Sequence, residues 1–227
     1  MQKVAIFDVD GTIFRSSFVI ELTERLIDEG IFDEKVRGTY EKELRRWQDR
    51  EGGYEHYVSA VVKAFVGNLK GVRYEDLSNV AKAVIEEQQK HVYRYSRDLV
   101  KELKRKKYFL LAISQSPKAI LEGFCKNLGF DKTYGRIYEL GPSNRFTGKI
   151  IDEHLIMNKA HITRRAVEKE KLTLKDSIGV GDTENDIPFL EIVDRPVCFN
   201  PNSTLLRHAK LMGWEVVVER KDVIYNM

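Results

Sequence analysis

The feature that most constrains this chain is an alternation of short apolar runs with helical patterns. Residues 3–8 (KVAIFD), 108–114 (YFLLAIS), 177–181 (SIGVG), 196–200 (PVCFN) and 214–218 (WEVVV) are apolar without a polar–apolar beat. Such runs suit strands covered on both faces. Helical periodicity fills the intervals near 96–106, 117–128, 153–170, 184–193 and 203–212. Strands separated by helices pair in parallel, so the spacing predicts an α/β fold, a doubly wound parallel sheet. A ligand site in such a sheet lies beyond the carboxyl ends of its strands.

One stretch breaks the alternation. Between about residues 16 and 95 no strand pattern occurs, and helical patterns recur at 17–29, 33–49, 54–67 and 75–92, punctuated by Gly30, Gly52, Gly53, Gly67 and Gly71. The expected organisation is a core of residues 1–15 and 96–227, with an all-helical module of residues 16–95 inserted after the first strand. Residues 136–150 read as a hairpin, because IYEL and FTGKI flank the turn-forming GPSN.

Composition narrows the function classes. With 227 residues, 42% of them hydrophobic, the chain can build a core without staples. The balance of 38 basic against 35 acidic residues leaves +3, too mild for a nucleic-acid partner. Cys125 and Cys198 sit in apolar contexts and read as buried thiols of a reducing compartment. The longest apolar run, 108–113, is too short to span a bilayer, and the first strand begins too early to leave room for a signal peptide. The expectation is a cytoplasmic protein with neither nucleic acid nor membrane as partner; the sequence assigns no oligomeric state.

The residues at the strand ends carry the chemistry. The first strand ends Phe7-Asp8-Val9-Asp10-Gly11-Thr12, and two carboxylates so close at a buried strand end need compensation, most simply from a divalent cation. The second ends at Ser114, whose hydroxyl and the following Gln115 and Ser116 amides lead into a helix opened by Pro117, an arrangement that attracts anions. Lys159 falls in the 153–170 helix. The fourth strand ends Gly181-Asp182-Thr183-Glu184-Asn185-Asp186 and adds carboxylates at the same edge. Hard oxygen donors beside an anion site predict Mg²⁺ with a phosphate. His154 and His161 alone make no zinc site.

FDVDGT, the strand-ending Ser114, the lone Lys159 and GDTEND together resemble the four motifs of the haloacid dehalogenase superfamily. The helical insertion directly after the first motif is similar to its phosphoserine-phosphatase-like branch, with a Rossmann-like core and a cap. The resemblance implies that Asp8 is the nucleophile, taking the phosphoryl group as an aspartyl-phosphate, and that Asp10 is the general acid and then base. It implies Mg²⁺ as cofactor, held by the Asp8 carboxylate, the Asp10 carbonyl and Asp182, with Asp186 orienting ligands or water behind them. Ser114, Gln115 and Lys159 would grip the phosphoryl oxygens, supported by Thr12 and Asn185.

The implied activity is Mg²⁺-dependent hydrolysis of a small phosphorylated metabolite. A phosphotransferase or mutase on the same scaffold, or a non-catalytic phosphate-binding protein, are the alternatives. Two departures bear on the alcohol. Gln-Ser-Pro follows Ser114 where phosphoserine phosphatases carry a glycine pair, and Phe14-Arg15-Ser16-Ser17-Phe18 lacks their early glutamate, the next acid being Glu21. Arg15, Ser16 and Ser17 are the candidates for touching the leaving group. Tyr40, Trp47, Tyr54, Tyr57 and Phe65 read as packing within the insertion.

Overall fold

The first strand lies at the centre of the sheet because both of its faces are apolar: Val4, Ala5, Ile6 and Phe7 are all fully buried. The computed structural model describes residues 1–227, the side chains of His154 and Leu155 excepted. Its strands are β1 (Gln2–Phe7), β2 (Phe109–Pro117), β3 (Lys132–Leu140), β4 (Phe146–Ile151), β5 (Leu172–Gly181), β6 (Arg195–Phe199), β7 (Glu215–Arg220) and β8 (Val223–Asn226). They form one sheet in the order β4-β3-β2-β1-β5-β6-β7-β8. The strands from β3 to β7 in this order pair in parallel, while β4 and β8 close the two edges antiparallel. The chain winds outward from β1 to β4 and then returns to place β5 against β1. The switch in winding direction falls between β1 and β5, where such sheets hold their ligands.

Helices cover both faces, and the strand pleat divides the core accordingly. Ala5 and Phe7 of β1, with Leu110 and Ala112 of β2, face the layer containing α1 (Phe18–Asp28), α3 (Tyr54–Leu69), α4 (Tyr74–Gln88), α5 (Arg94–Arg105) and α6 (Lys118–Leu128); α2 (Glu41–Gln48) packs on the outside of this group. Val4 and Ile6, with Leu111 and Ile113, face the opposite layer, built from α7 (Glu153–Ile156), α8 (Lys159–Lys169), α9 (Ile187–Leu190) and α10 (Ser203–Met212). Successive side chains of a strand point to opposite faces, so each strand feeds both cores. Among the described residues no helix is long and apolar enough to cross a membrane.

The stretch from 16 to 95 is helical. Its ends run side by side: the Arg15 amide donates to the His91 carbonyl at 3.0 Å and the Tyr93 amide to the Ile13 carbonyl at 2.9 Å. The insertion does not float free of the sheet. Phe14 and Phe18 stack with centroids 4.0 Å apart, and Phe124 of α6 packs edge-on to Phe18 at 4.7 Å. Phe65 of α3 meets Tyr138 of β3 at 5.6 Å, joining the insertion to the sheet a second time.

Several boundaries differ from the sequence reading. β2 continues three residues past Ser114 to Pro117, which pairs with Arg136, so α6 starts at Lys118 with Pro117 as its cap. The single helix expected over 153–170 breaks before Lys159, because the Asn158 side chain accepts from the His161 amide at 2.9 Å and restarts the helix there. The 184–193 helix is a tight turn, Glu184–Asp186, followed by α9, since Thr183 and Asp186 cap each other reciprocally. The 33–49 helix divides into the tight turn Glu34–Thr39 and α2. The hairpin is present, but its first strand begins at Lys132 and also pairs with β2, so one strand serves two partners. β8 has no counterpart in the sequence reading, being a short, largely exposed edge strand.

The Phe14–Phe18–Phe124 cluster yields the first prediction. Phe124→Ala should destabilise the protein by about 3–5 kcal/mol, the cost of emptying a well-packed aromatic site. A urea titration reads this directly; a loss below about 1 kcal/mol would show that the insertion and the sheet are not joined through this contact.

Candidate active site

The end of β1 is fixed by the sheet: the Asp8 amide donates to the Val180 carbonyl of β5 at 2.9 Å, which places Asp8 at the switch point. Its carboxylate is buried and meets the ammonium of Lys159. That lysine opens α8, where the Asn158 cap sets the start of the helix. The same Nζ donates to Asp186 Oδ1 at 2.5 Å. The other Asp186 oxygen accepts from the amides of Asp182, at 2.9 Å, and Thr183, at 3.0 Å, and so shapes the loop that carries Asp182.

Two glycines permit this closeness. Gly11 has φ +78°, and a Cβ there would lie 2.2 Å from Asp182 Oδ2. At Gly181 a Cβ would lie 2.5 Å from that of Asp186.

The electrostatic result is a deficit of positive charge. Asp8, Asp182 and Asp186 each bring an oxygen within 4.8 Å of the others, facing a single ammonium. Burial lifts the Asp8 carboxyl to about 7; Lys159 opposes the shift, while Asp186 and Asp10 add to it. Burial likewise pushes Asp182 well above the usual carboxylate range, with Asp8 and Asp186 adding repulsion. For Lys159 burial acts to lower the pKa, but Asp186 and Asp8 outweigh it and the net shift is upward. A hard divalent cation is the group this donor set suits: three carboxylates of which two resist ionisation until a positive charge arrives.

Asp10 stands apart from that trio. Its two oxygens accept from the Ser114 hydroxyl and, at 2.6 Å, from the Phe18 amide. The Ser116 amide donates in turn to Ser114 Oγ at 2.9 Å. The strand end expected at Ser114 is therefore corrected: Ser114, Gln115 and Ser116 are extended, and the helix starts beyond them, capped by Pro117. Thr12 is buried and donates to Asp182 Oδ1 at 3.1 Å, which makes it a support for that carboxylate. Asn185 is exposed at the rim of the cavity, and Gln115 lines it.

The cavity above these groups, about 360 Å³, is bounded by the strand-end loops and by α3 of the insertion. Ser17 lines it, whereas Ser16 donates to Glu21 at 2.7 Å and Arg15 lies over the Tyr93 ring. Among the cavity residues that the sequence reading did not assign to the site are Tyr54 and Arg136. Tyr54 packs against Trp47 as expected of a core aromatic, yet it also faces the cavity, where burial and the nearby Asp10 push its hydroxyl upward in pKa. Arg136 carries no local signal at all, since only the pairing of β3 brings it to the site. His161 is exposed and belongs to no metal-ligating group among the described residues, and the side chain of His154 lies outside them.

The geometry defines a class. The haloacid dehalogenase-like hydrolase family matches residues 5–191, and the chain belongs to that family. It is phosphatase-like within it. A histidinol-phosphatase of Neisseria meningitidis is 26% identical, covering 96% of this chain and 99% of the relative. A phosphoserine phosphatase of Archaeoglobus fulgidus is 24% identical, covering 90% of this chain and 54% of the relative. Among solved structures, a phosphoserine phosphatase in apo form matches at TM-score 0.67 with 20% identity, covering 98% of this chain and 96% of the other. A protein from Bordetella pertussis of unknown function matches at 0.73 with 18% identity, covering 95% and 98%.

The raised Asp8 carboxyl makes a signed prediction for protein stripped of metal by chelator. Folded Asp8 keeps its proton up to about pH 7, whereas the unfolded residue loses it near 3.8. Across that window the folded state binds more protons, so this group's contribution makes stability fall as pH rises. Asp8→Asn cannot titrate, and its thermal midpoint should gain on the wild type progressively from pH 4 to pH 7. A constant difference across that range would contradict the burial of an unneutralised carboxylate.

Proposed function

We propose that this protein is a Mg²⁺-dependent phosphatase that hydrolyses a small phosphomonoester through an aspartyl-phosphate on Asp8. The observation that carries the reading is the buried ammonium of Lys159 bonded to both Asp8 and Asp186, with Asp182 beside them at the switch point. A carboxylate can approach an anionic phosphate only where positive charge cancels the repulsion, and this centre is built to collect it. Asp8, Asp182 and Asp186, with the carbonyl of Asp10, would hold Mg²⁺, which supplies that cancellation and polarises the phosphoryl group.

The remaining chemistry belongs to the chain's own residues. Asp8 attacks phosphorus while the P–O bond to the alcohol breaks, and Asp10 delivers a proton to the departing oxygen. The Phe18 amide and the Ser114 hydroxyl fix the orientation of the Asp10 carboxylate. In the second step Asp10 takes a proton from water as the water oxygen attacks phosphorus, releasing inorganic phosphate and restoring Asp8. Lys159 opposes the protonation of Asp8 and holds it in place, Mg²⁺ would complete its ionisation, and Ser114, Gln115 and Asn185 line the phosphoryl side of the cavity.

Residues 16–95 act as a cap over the core of 1–15 and 96–227. Tyr54 and Glu55 of α3 close the cavity from above, and Glu55 accepts from the Asn202 side chain of the core at 2.7 Å. A lid so seated excludes bulk water and limits the substrate to a small metabolite. The relatives named histidinol-phosphatase and phosphoserine phosphatase support a substrate of that size. The free, buried thiols of Cys125 and Cys198 suit a reducing cytoplasm.

Phosphate release from p-nitrophenyl phosphate tests the reading. Exhaustive chelation should silence the enzyme and Mg²⁺ restore it, while Asp8→Asn should lose about three orders of magnitude or more. Activity that survives chelation, or an Asp8→Asn variant that retains more than about a few per cent of wild-type turnover, would overturn it. Asp10→Asn separates the acid role. In single-turnover measurements it should slow phosphoryl transfer from an alkyl phosphate more than from p-nitrophenyl phosphate, whose phenolate leaves unprotonated. Equal losses on the two would remove Asp10 from that role.

A further inference from the structure

Arg136 is a buried cation whose charge the protein leaves almost unanswered. Its side chain is 6% exposed. Among the described residues its Nε has no hydrogen-bond partner. Its Nη2 meets Gln115 Oε1 at 3.4 Å, Met157 Sδ at 3.8 Å and Glu153 Oε1 at 3.9 Å. The one carboxylate in that set belongs to a side chain 55% exposed, and so long and wet a pair neutralises little. An uncompensated buried guanidinium costs the fold several kcal/mol, so its retention calls for an anion that arrives from outside.

Position says which part of a ligand that anion would be. Arg136 lines the same cavity as Asp8 and Lys159. It stands on β3, two strands from β1, and pairs with Pro117, three residues beyond Ser114 along β2. Two strand spacings are about 10 Å, and the side chain reaches back only as far as Gln115. The charge therefore sits beyond the phosphoryl position, on the side that would receive the alcohol. Lys63 of α3 borders the cavity from the cap, and Val19, Val58 and Val62 supply an apolar wall between. A planar guanidinium matches a planar two-oxygen anion, and a carboxylate fits a small cavity already holding a phosphoryl group.

We propose that Arg136 is a specificity-determining residue, which binds a carboxylate on the alcohol portion and makes the substrate a phosphorylated hydroxy acid. The proposal rests on the phosphatase reading, and the test keeps the two separable. Two matched pairs isolate the carboxylate: 3-phosphoglycerate against glycerol 3-phosphate, and O-phosphoserine against O-phosphoethanolamine. Each compound is measured by its KM, or by its inhibition constant against p-nitrophenyl phosphate where it is not turned over.

In the wild type the acid of at least one pair should bind about tenfold or more tightly than its partner. Arg136→Met should erase that preference, the acid losing about tenfold more than its neutral partner, chiefly in KM. Arg136→Lys, which keeps the charge without the fork, should fall between. Thermal midpoints of both variants show whether they fold, and the lysine variant carries the test if the methionine variant does not. No preference for the acid in either pair, or equal losses on acid and neutral ester, would overturn the proposal. If p-nitrophenyl phosphate is not hydrolysed at all, the phosphatase reading fails instead. Calorimetric binding of the same pairs to wild type and variants then decides the subsite: an acid preference that depends on Arg136 supports it, and its absence overturns it.

Discussion

The buried ammonium of Lys159 between Asp8 and Asp186 is the contact on which the rest of the site depends. It brings together the end of β1, the start of α8 and the turn after β5, the first of them 151 residues away from Lys159 along the chain. Three carboxylates within 4.8 Å would repel one another in a buried setting without it. With it they still fall short of neutrality, a deficit that a further cation would fill. The tight backbone at Gly11 and Gly181 exists to let the carboxylates approach this one charge.

The inserted helices are held by ordinary hydrophobic packing, continuous with one face of the sheet. Phe14 and Phe18, shortly after the first motif, stack within that packing, and the Phe18 amide also positions Asp10. Core, inserted helices and the Asp10 carboxylate are thus tied in a stretch of eleven residues, Asp8 to Phe18. The cavity that results is small, and its walls come from both parts.

Much of the fold was legible in the sequence because the central strands are apolar on both faces, a pattern that polar or amphipathic segments cannot imitate. The lone β8 was not, since a short edge strand buries too little to leave a signature. Nor was the break before Lys159, which depends on one asparagine accepting from one amide. The sequence reading ended the second strand at Ser114 and opened the next helix at Pro117. The structure instead extends β2 to Pro117, because β3 pairs with it that far, and turns the serine hydroxyl to Asp10. Thr12 illustrates the same limit: its place near the site followed from the motif, but its bond to Asp182 followed from packing.

Sequence alone determined the doubly wound class, the helical insertion and the acidic motifs at the strand ends, because each is written in neighbouring residues. Backbone periodicity and turn chemistry are local, and so is a pair of carboxylates at i and i+2. Tertiary structure alone decided which carboxylates share Lys159, which oxygens remain to take a cation, and that Arg136 lines the cavity with its charge unmatched. These are properties of distance and burial between segments that meet only when the sheet closes. A guanidinium on β3 reads as any surface arginine until β2, β4 and α7 exclude water from around it.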